Sequence, residues 1–221
     1  MSNTSRSLVS VEPEGRCAAM ASDALAVLAC SLPAGHDEGF RKSRELAVSL
    51  CESVIEEAGK SVLDQEVLAK LVDALFSSTE WAGWHISFCV AARRGDRLIA
   101  FNCGVSGVAW LVPDDTIHEL LPPNTVGRKL RREGVANIPP HVDHVGATVA
   151  GRGLLPQDIG STQIALAECK TVIAVAEPRI MDSLSELSGA AAEPGQLRGA
   201  LDASLASMNN PNRSFVLWRP G

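Results

Sequence analysis

Two short stretches of the chain bring together side chains that bind metal ions. One consists of His36, Asp37 and Glu38, which follow a turn rich in proline and glycine. The other, residues 141–144 (HVDH), holds two imidazoles and a carboxylate. Imidazole and carboxylate groups are common ligands of divalent cations. His36 and Asp37 are therefore candidate site residues, although acidic residues here also suit the first turn of a helix. The proline-flanked second stretch is more typical of a loop without chemistry.

A third stretch, residues 128–132 (RKLRR), concentrates positive charge on a short predicted helix. Arg128, Arg131 and Arg132 could attract an acidic or phosphorylated partner, because complementary charges steer association. A solvated helix face is the alternative interpretation. The formal net charge of the chain is −6, which argues against nucleic acid as a partner.

The six cysteines, at positions 17, 30, 51, 89, 103 and 169, form no C-x-x-C pair, and most of them lie in apolar surroundings. Such cysteines are typical of small buried residues that stay reduced in the cytosol. The N-terminus has no apolar run long enough for a signal peptide, and no stretch is long enough to span a bilayer. The sequence thus predicts a soluble cytoplasmic protein that does not enter a membrane.

The element that must position the first candidate residues is a strand–loop–helix unit over residues 24–58. Residues 24–30 form a short apolar run, which predicts a buried strand. The loop contains Pro33, Gly35 and Gly39. From Phe40 the apolar residues recur at helical spacing, which predicts a helix over 40–59. A second helix over 64–77 should begin at Asp64, whose side chain is suited to an N-cap.

The remaining pattern predicts an antiparallel α+β domain, because strands and helices are segregated along the chain. Helices are also expected at 181–187 and 196–208. Residues 113–160 hold six of the twelve prolines and predict an irregular excursion. We expect a flexible arm over 1–15 and a single domain over 16–221. The predicted strands are 24–31, 85–92, 97–103, 108–112, 162–167, 171–176 and 214–218, with hairpins joining 85–92 to 97–103 and 162–167 to 171–176.

Four segments, in order, resemble the motifs of metal-dependent protein phosphatases of the 2C type. Residues 29–36 (ACSLPAGH) resemble V-A-D-G-x-G-G-H. Residues 95–111 (GDRLIAFNCGVSGVAWL) resemble G-D-x-L-x-x-A-N-x-G-D-S-R-A-Y-L. Residues 171–187 are similar to a strand ending in T-D-G-L-x-D, and residues 211–217 to D-N-x-T-x-V-x-V. The resemblance implies a four-layer α-β-β-α sandwich of two antiparallel sheets.

The same comparison of motifs implies that the metal-binding aspartates of the family are missing. Ser31, Glu177 and Pro211 stand where the family has aspartate, and of the R-x-x-N-E-D motif only Arg16 remains. Two bridging metal ions lower the pKa of water from about 15.7 to about 7, which corresponds to about 12 kcal/mol of nucleophile activation. Mg²⁺ and Mn²⁺ require anionic oxygen ligands, and one carboxylate does not hold two ions.

The sequence therefore predicts a catalytically inactive 2C-type protein, without a cofactor, that binds a protein partner such as a phosphoprotein or a kinase. The predicted contact face comprises residues 31–36 and 177–179, which include His36 and Arg179, and part of 122–144. One alternative is a divergent metal-dependent phosphatase or hydrolase that binds Mg²⁺ or Mn²⁺ through His36, Asp37, Glu177 and either Asp158 or Asp182. Another alternative is a structural subunit of an assembly.

Overall fold

The computed structural model describes residues 7–10, 15–32, 40–184, 187, 194–206 and 214–220. The strands are β1 (Ser7–Ser10), β2 (Cys17–Ala21), β3 (Leu25–Leu32), β4 (His85–Arg94), β5 (Arg97–Cys103), β6 (Gly107–Leu111), β7 (Ile117–Leu121), β8 (Gly160–Ala165), β9 (Thr171–Val175) and β10 (Phe215–Trp218). The helices are α1 (Phe40–Ala58), α2 (Gln65–Leu75), α3 (Val126–Arg132), α4 (Pro178–Leu184) and α5 (Pro194–Ala206).

The strands form two antiparallel sheets that pack face to face. One sheet has the order β1-β10-β9-β6-β7 and the other the order β2-β3-β4-β5-β8. One apolar core lies between the sheets, a second lies under α1 and α2, and a third lies under α4 and α5. This arrangement confirms the predicted four-layer α-β-β-α sandwich. No helix in the described part of the chain is both long and apolar enough to cross a membrane.

Strand β3 sets the direction of the side chains at the candidate site. Successive residues of a strand point to opposite faces of the sheet. Leu28 and Cys30 accordingly lie in the core between the sheets, whereas Val27 and Ala29 lie in the core under α1 and α2. The same alternation sends the next residue, Ser31, towards α1.

The predicted helices α1 and α2 are confirmed to within two residues. Asp64 caps α2, since its carboxylate accepts a hydrogen bond of 2.9 Å from the backbone N–H of Val67. Both helices cover the sheet that contains β3, as the periodicity of their apolar residues predicts. The segment between β3 and α1, which carries His36 and Asp37, lies outside the described residues.

The pairing of several strands differs from the prediction. The predicted hairpin of β8 with β9 is wrong, because β8 pairs with β5 in one sheet and β9 pairs with β6 and β10 in the other. Strand β7 lies in the segment predicted to be irregular, and β1, within the predicted arm, pairs with β10. Short strands that pair with distant partners are stabilised by tertiary contacts rather than by their own sequence pattern.

Candidate functional site

The ends of three strands, β2, β3 and β9, meet at one end of the sandwich. We call it the thiol end and define it by Arg16, Cys17, Cys30 and Glu177. Cys17 and Cys30 are directly opposite each other on β2 and β3. Glu177 follows β9 by two residues. The side chains of Arg16 and Glu177 both lie close enough to the Cys30 thiol to influence its ionisation. The fold thus brings Glu177 to the strand end that the motifs single out.

Ser31 does not share this cluster, although the motif comparison places it in the degenerate metal site. Its side chain is fully buried, and its hydroxyl donates a hydrogen bond of 2.6 Å to the carbonyl oxygen of Ser43 in α1. Its backbone N–H donates to the carbonyl oxygen of Arg16 over 3.1 Å. Ser31 therefore closes the junction between β3 and α1, and Cys30 is the residue of β3 that faces Glu177.

The thiol pair was missed in the sequence, where all six cysteines were interpreted as packing residues. A hydrogen bond with Cys17, followed by burial, raises the pKa of the Cys30 thiol well above its usual value. The Glu177 carboxylate raises this pKa further, and the Arg16 guanidinium lowers it. The alternation of side chains along β3 could have shown which face Cys30 occupies. Ala26, Leu28 and Cys30 share the face that packs between the two sheets.

The donor groups at the thiol end do not fit a binuclear site for hard cations. The Ser31 hydroxyl is engaged by Ser43, and the pKa of Cys30 is raised, which keeps that thiol protonated. Glu177 is a single carboxylate, and the nearby Arg16 already supplies a positive charge. No group of three or more metal-binding side chains occurs in the described part of the chain. Pro211 and the segment that holds His36 and Asp37 lie outside it.

A groove of about 730 Å³ lies beside α3 and α4. We call it the arginine groove. It brings Pro178 next to the basic cluster, and both were assigned to the predicted contact face. Among the described residues, Ser31, Glu177 and Arg179 are not part of its lining; Arg179 is exposed on α4. Its lining consists of Asn102, Leu121, Pro122, Pro123, Asn124, Thr125, Arg128, Arg131, Arg132, Asp143, Gly160, Pro178 and Asp182.

Two of the three arginines in this groove are bound to carboxylates of the same chain. Arg128 donates two hydrogen bonds to Glu119, of 3.0 and 2.8 Å, and lies 3.3 Å from Asp182. The hydrogen bonds with Glu119 raise the pKa of Arg128. Arg131 forms an ion pair of 2.6 Å with Asp143.

Arg132 differs from these two because no described residue forms an ion pair with it. Its side chain is exposed and lines the groove. Two of the three arginines that line the groove are thus compensated by carboxylates from other segments, whereas Arg132 forms no ion pair within the described part of the chain.

The stretch at residues 141–144 packs against helix α3. Asp143 lies against α3, where a Cβ atom on Gly127 would approach its carboxylate oxygen to within 2.0 Å. Because the carboxylate also pairs with Arg131, it is committed to holding the loop on the helix. The stretch was predicted to be a loop, and in the structure it is part of a short 3-10 helix, Pro140–His144.

A buried polar network lies next to the arginine groove and reaches its lining at Asn102. The side-chain amide of Asn102 donates to the carbonyl oxygens of Ser106 and Pro122, over 3.0 and 2.9 Å. Ser87 donates to the carbonyl oxygen of Cys103 over 2.9 Å and lies against Gly104, whose φ is +80°. A Cβ atom at Gly104 would lie 2.6 Å from the Ser87 hydroxyl oxygen, so the turn requires glycine.

Comparisons of the whole structure find similar folds among bacterial phosphatases. A bacterial serine phosphatase superposes with a TM-score of 0.69 at 12% identity, over 97% of this chain and 96% of that one. Serine/threonine phosphatase Stp1 from Staphylococcus aureus gives 0.69 at 11% identity, over 96% and 93%. The catalytic domain of serine/threonine phosphatase PstP, solved with two manganese ions, gives 0.66 at 14% identity, over 96% of each chain.

No protein-family model and no curated protein matches the sequence. At this level of identity the structural similarity establishes the fold and leaves the activity open. The two sheets, their helices and nearly complete mutual coverage agree with the resemblance found in the motifs. The chain has the fold of the 2C-type, or PPM, serine/threonine phosphatases.

Proposed function

We propose that this protein is a catalytically inactive member of the 2C-type fold that acts as a binding module for a protein partner. The observation that carries the proposal is the set of groups at the thiol end. A pair of buried thiols and an arginine lie around a single carboxylate, Glu177, and the neighbouring Ser31 is turned away from it and bound to α1.

The physical argument concerns the nucleophile. In a binuclear site the metal ions supply hydroxide at neutral pH and hold the phosphate in place. Neither a protonated thiol nor a serine hydroxyl that donates to a backbone carbonyl replaces an anionic oxygen ligand for Mg²⁺ or Mn²⁺. A guanidinium nearby further disfavours a divalent cation by electrostatic repulsion.

The proposed contact surface is the arginine groove together with Arg179, which is exposed on α4. The groove combines an apolar wall of Leu121, Pro122 and Pro178 with the polar side chains of Asn102 and Asn124. Protein interfaces have this mixture of apolar and hydrogen-bonding groups. Arg132 provides a cation for an acidic or phosphorylated residue of the partner, which is a phosphoprotein or a kinase in this proposal.

The location we propose is the cytoplasm, as predicted from the sequence. The supporting observation is that all six cysteines are free thiols in the structure, as is usual in reducing compartments.

The first experiment measures hydrolysis of a phosphate monoester in Mn²⁺ or Mg²⁺, with the PstP catalytic domain as the active control. We expect no hydrolysis above the rate without protein. Manganese titration by calorimetry should likewise show no saturable heat. Activity that requires Mn²⁺ and disappears in Glu177→Ala would instead establish the divergent hydrolase.

The second experiment tests the contact surface by affinity capture from the native organism. Arg132→Glu should reduce the recovered partner at low salt, because it reverses the uncompensated charge in the groove. The matched control is Arg94→Glu. Arg94 is also exposed, but it ends β4 at the opposite end of the strand from the thiol end. Equal recovery with both variants would remove Arg132 and the groove from the proposal.

A further inference from the structure

Cys17 and Cys30 differ from the other cysteines because their side chains face each other across two paired strands. They are register partners on β2 and β3 and hydrogen-bond to each other. Cys51 and Cys89 instead donate to backbone carbonyl oxygens, those of Ala18 at 3.5 Å and Val175 at 4.0 Å.

The hydrogen-bond pattern of the strands defines the type of pair. The backbone N–H of Ser31 donates to the carbonyl oxygen of Arg16, so those two residues form a hydrogen-bonded pair. Their neighbours Cys17 and Cys30 then form a non-hydrogen-bonded pair, in which the Cα atoms are about 4.5 Å apart. Disulfides span Cα distances of about 4.4–6.8 Å. The two thiols can therefore be joined without moving the backbone far.

We propose that Cys17 and Cys30 form a reversible disulfide at the thiol end when the protein meets a low-molecular-weight disulfide. In the first step one thiolate attacks the small disulfide, gives a mixed disulfide and releases one small thiol. In the second step the other cysteine attacks the mixed disulfide and releases the second small thiol. The two cysteines lose two protons and two electrons in total, and the small disulfide becomes two thiols.

Access to the pair comes through β2, which is an edge strand of its sheet. The side chains of Cys17 and Cys30 are 0% and 1% exposed, so the small disulfide reaches them when β2 opens locally. Burial and the mutual hydrogen bond raise the pKa of Cys30, which lowers the thiolate fraction and makes the reaction slow. Once formed, the bond ties β2 to β3 beside Glu177 and restricts further opening.

The test uses the full-length protein and oxidised glutathione. After incubation, the protein is unfolded and alkylated without reductant, and the intact mass is measured. We expect the number of alkylated cysteines to fall from six to four, with the loss of two hydrogens, and to return to six after reduction. Proteolysis on the N-terminal side of Asp23 separates the two cysteines, so the cross-linked peptide identifies the pair.

Two variants complete the experiment. Cys17→Ser cannot form the intramolecular bond, so after oxidation it should show either five alkylated cysteines or four with one glutathione adduct, and in neither case the loss of two hydrogens. The matched control Cys169→Ser removes the half-buried cysteine. In this variant the number of alkylated cysteines should fall from five before oxidation to three after it. If a variant fails to fold, the cross-linked peptide from the wild-type protein still shows which two cysteines are joined. Six alkylated cysteines after oxidation, or a cross-link between any other pair, would overturn the proposal.

Discussion

At the thiol end, Cys17, Cys30 and the neighbouring Ser31 are almost completely buried, and their polar groups bind to one another or to backbone carbonyls. In the arginine groove, Arg128 and Arg131 are partly or largely exposed and are bound by carboxylates from β7, α4 and the loop after α3. The sequence marks both regions as functional, one by its motif and the other by its charge.

The difference indicates how each region responds to its surroundings. A buried group that is neutral depends on remaining neutral, so its contribution to stability should depend on pH and little on salt. Exposed ion pairs are weakened by salt, whose screening length is about 8 Å at physiological ionic strength. The two regions can therefore be distinguished by perturbing burial, pH and salt separately.

The largest change in stability is expected when a charge is placed next to the thiol end, at the buried Ser31. Ser31→Asp would put a carboxylate next to the carbonyl oxygen of Ser43, where the serine hydroxyl now donates a proton. Two acceptors would then face each other without water. We expect a loss of about 3 kcal/mol in the free energy of unfolding, measured by urea denaturation.

The matched control for this change is Ser77→Asp. The Ser77 hydroxyl also donates over 2.6 Å to a carbonyl oxygen, that of Ala74, but Ser77 is exposed. Its replacement should change stability by less than about 0.5 kcal/mol. If Ser31→Asp were as mild as the control, and especially if it gained manganese affinity, the thiol end would be a metal site that lacks one ligand.

A smaller effect is expected from the ionisation of a buried thiol at alkaline pH. Burial, and to a lesser degree Asp158, raises the pKa of Cys103 to about 12, whereas an unfolded thiol titrates near 8.5. Between these values the unfolded chain loses a proton that the folded protein keeps. Stability due to this thiol is therefore fully present below about pH 8.5 and decreases as the pH rises.

For one such thiol the loss between pH 7 and pH 10 should be about 2 kcal/mol. Urea denaturation at both pH values measures it, with Cys103→Ala as the comparison. The variant is expected to be less stable at pH 7 because of the cavity, but its stability should fall less as the pH is raised. The same pH dependence in both proteins would show that Cys103 already ionises in the folded state.

The helices and most strands follow from local sequence because their signals are local. The apolar spacing in α1 and the capping residue Asp64 act within one or two turns. The pairing of β8 with β5 and of β9 with β10 depends on contacts that are distant in sequence. Strands β8 and β9 are close along the chain, so a hairpin was predicted. They belong to different sheets and do not pair with each other.

The candidate site shows a similar division. The motifs placed Ser31 and Glu177 together at one end of the sandwich. Because side chains alternate along β3, Ser31 points towards α1, and Cys30 is the residue of β3 that lies near Glu177. The basic cluster was visible in the sequence, whereas its partners Glu119 and Asp182 lie 9 and 54 residues from Arg128. The charge of a segment therefore does not give the charge of the surface to which it belongs.

The smallest effect is expected in the arginine groove, where Arg128 and Arg132 provide a comparison within one helix. Arg128→Ala removes a guanidinium that is 26% exposed and binds both Glu119 and Asp182. The two carboxylates would remain near each other without it, so we expect a loss of about 1 kcal/mol at low salt. Arg132→Ala should change stability by less than about 0.5 kcal/mol. Urea denaturation at low and high salt should show the difference between the variants decreasing as salt screens the ion pairs. Equal stabilities at low salt would mean that the ion pairs do not hold α3 in place, and that Arg128 is as available to a partner as Arg132.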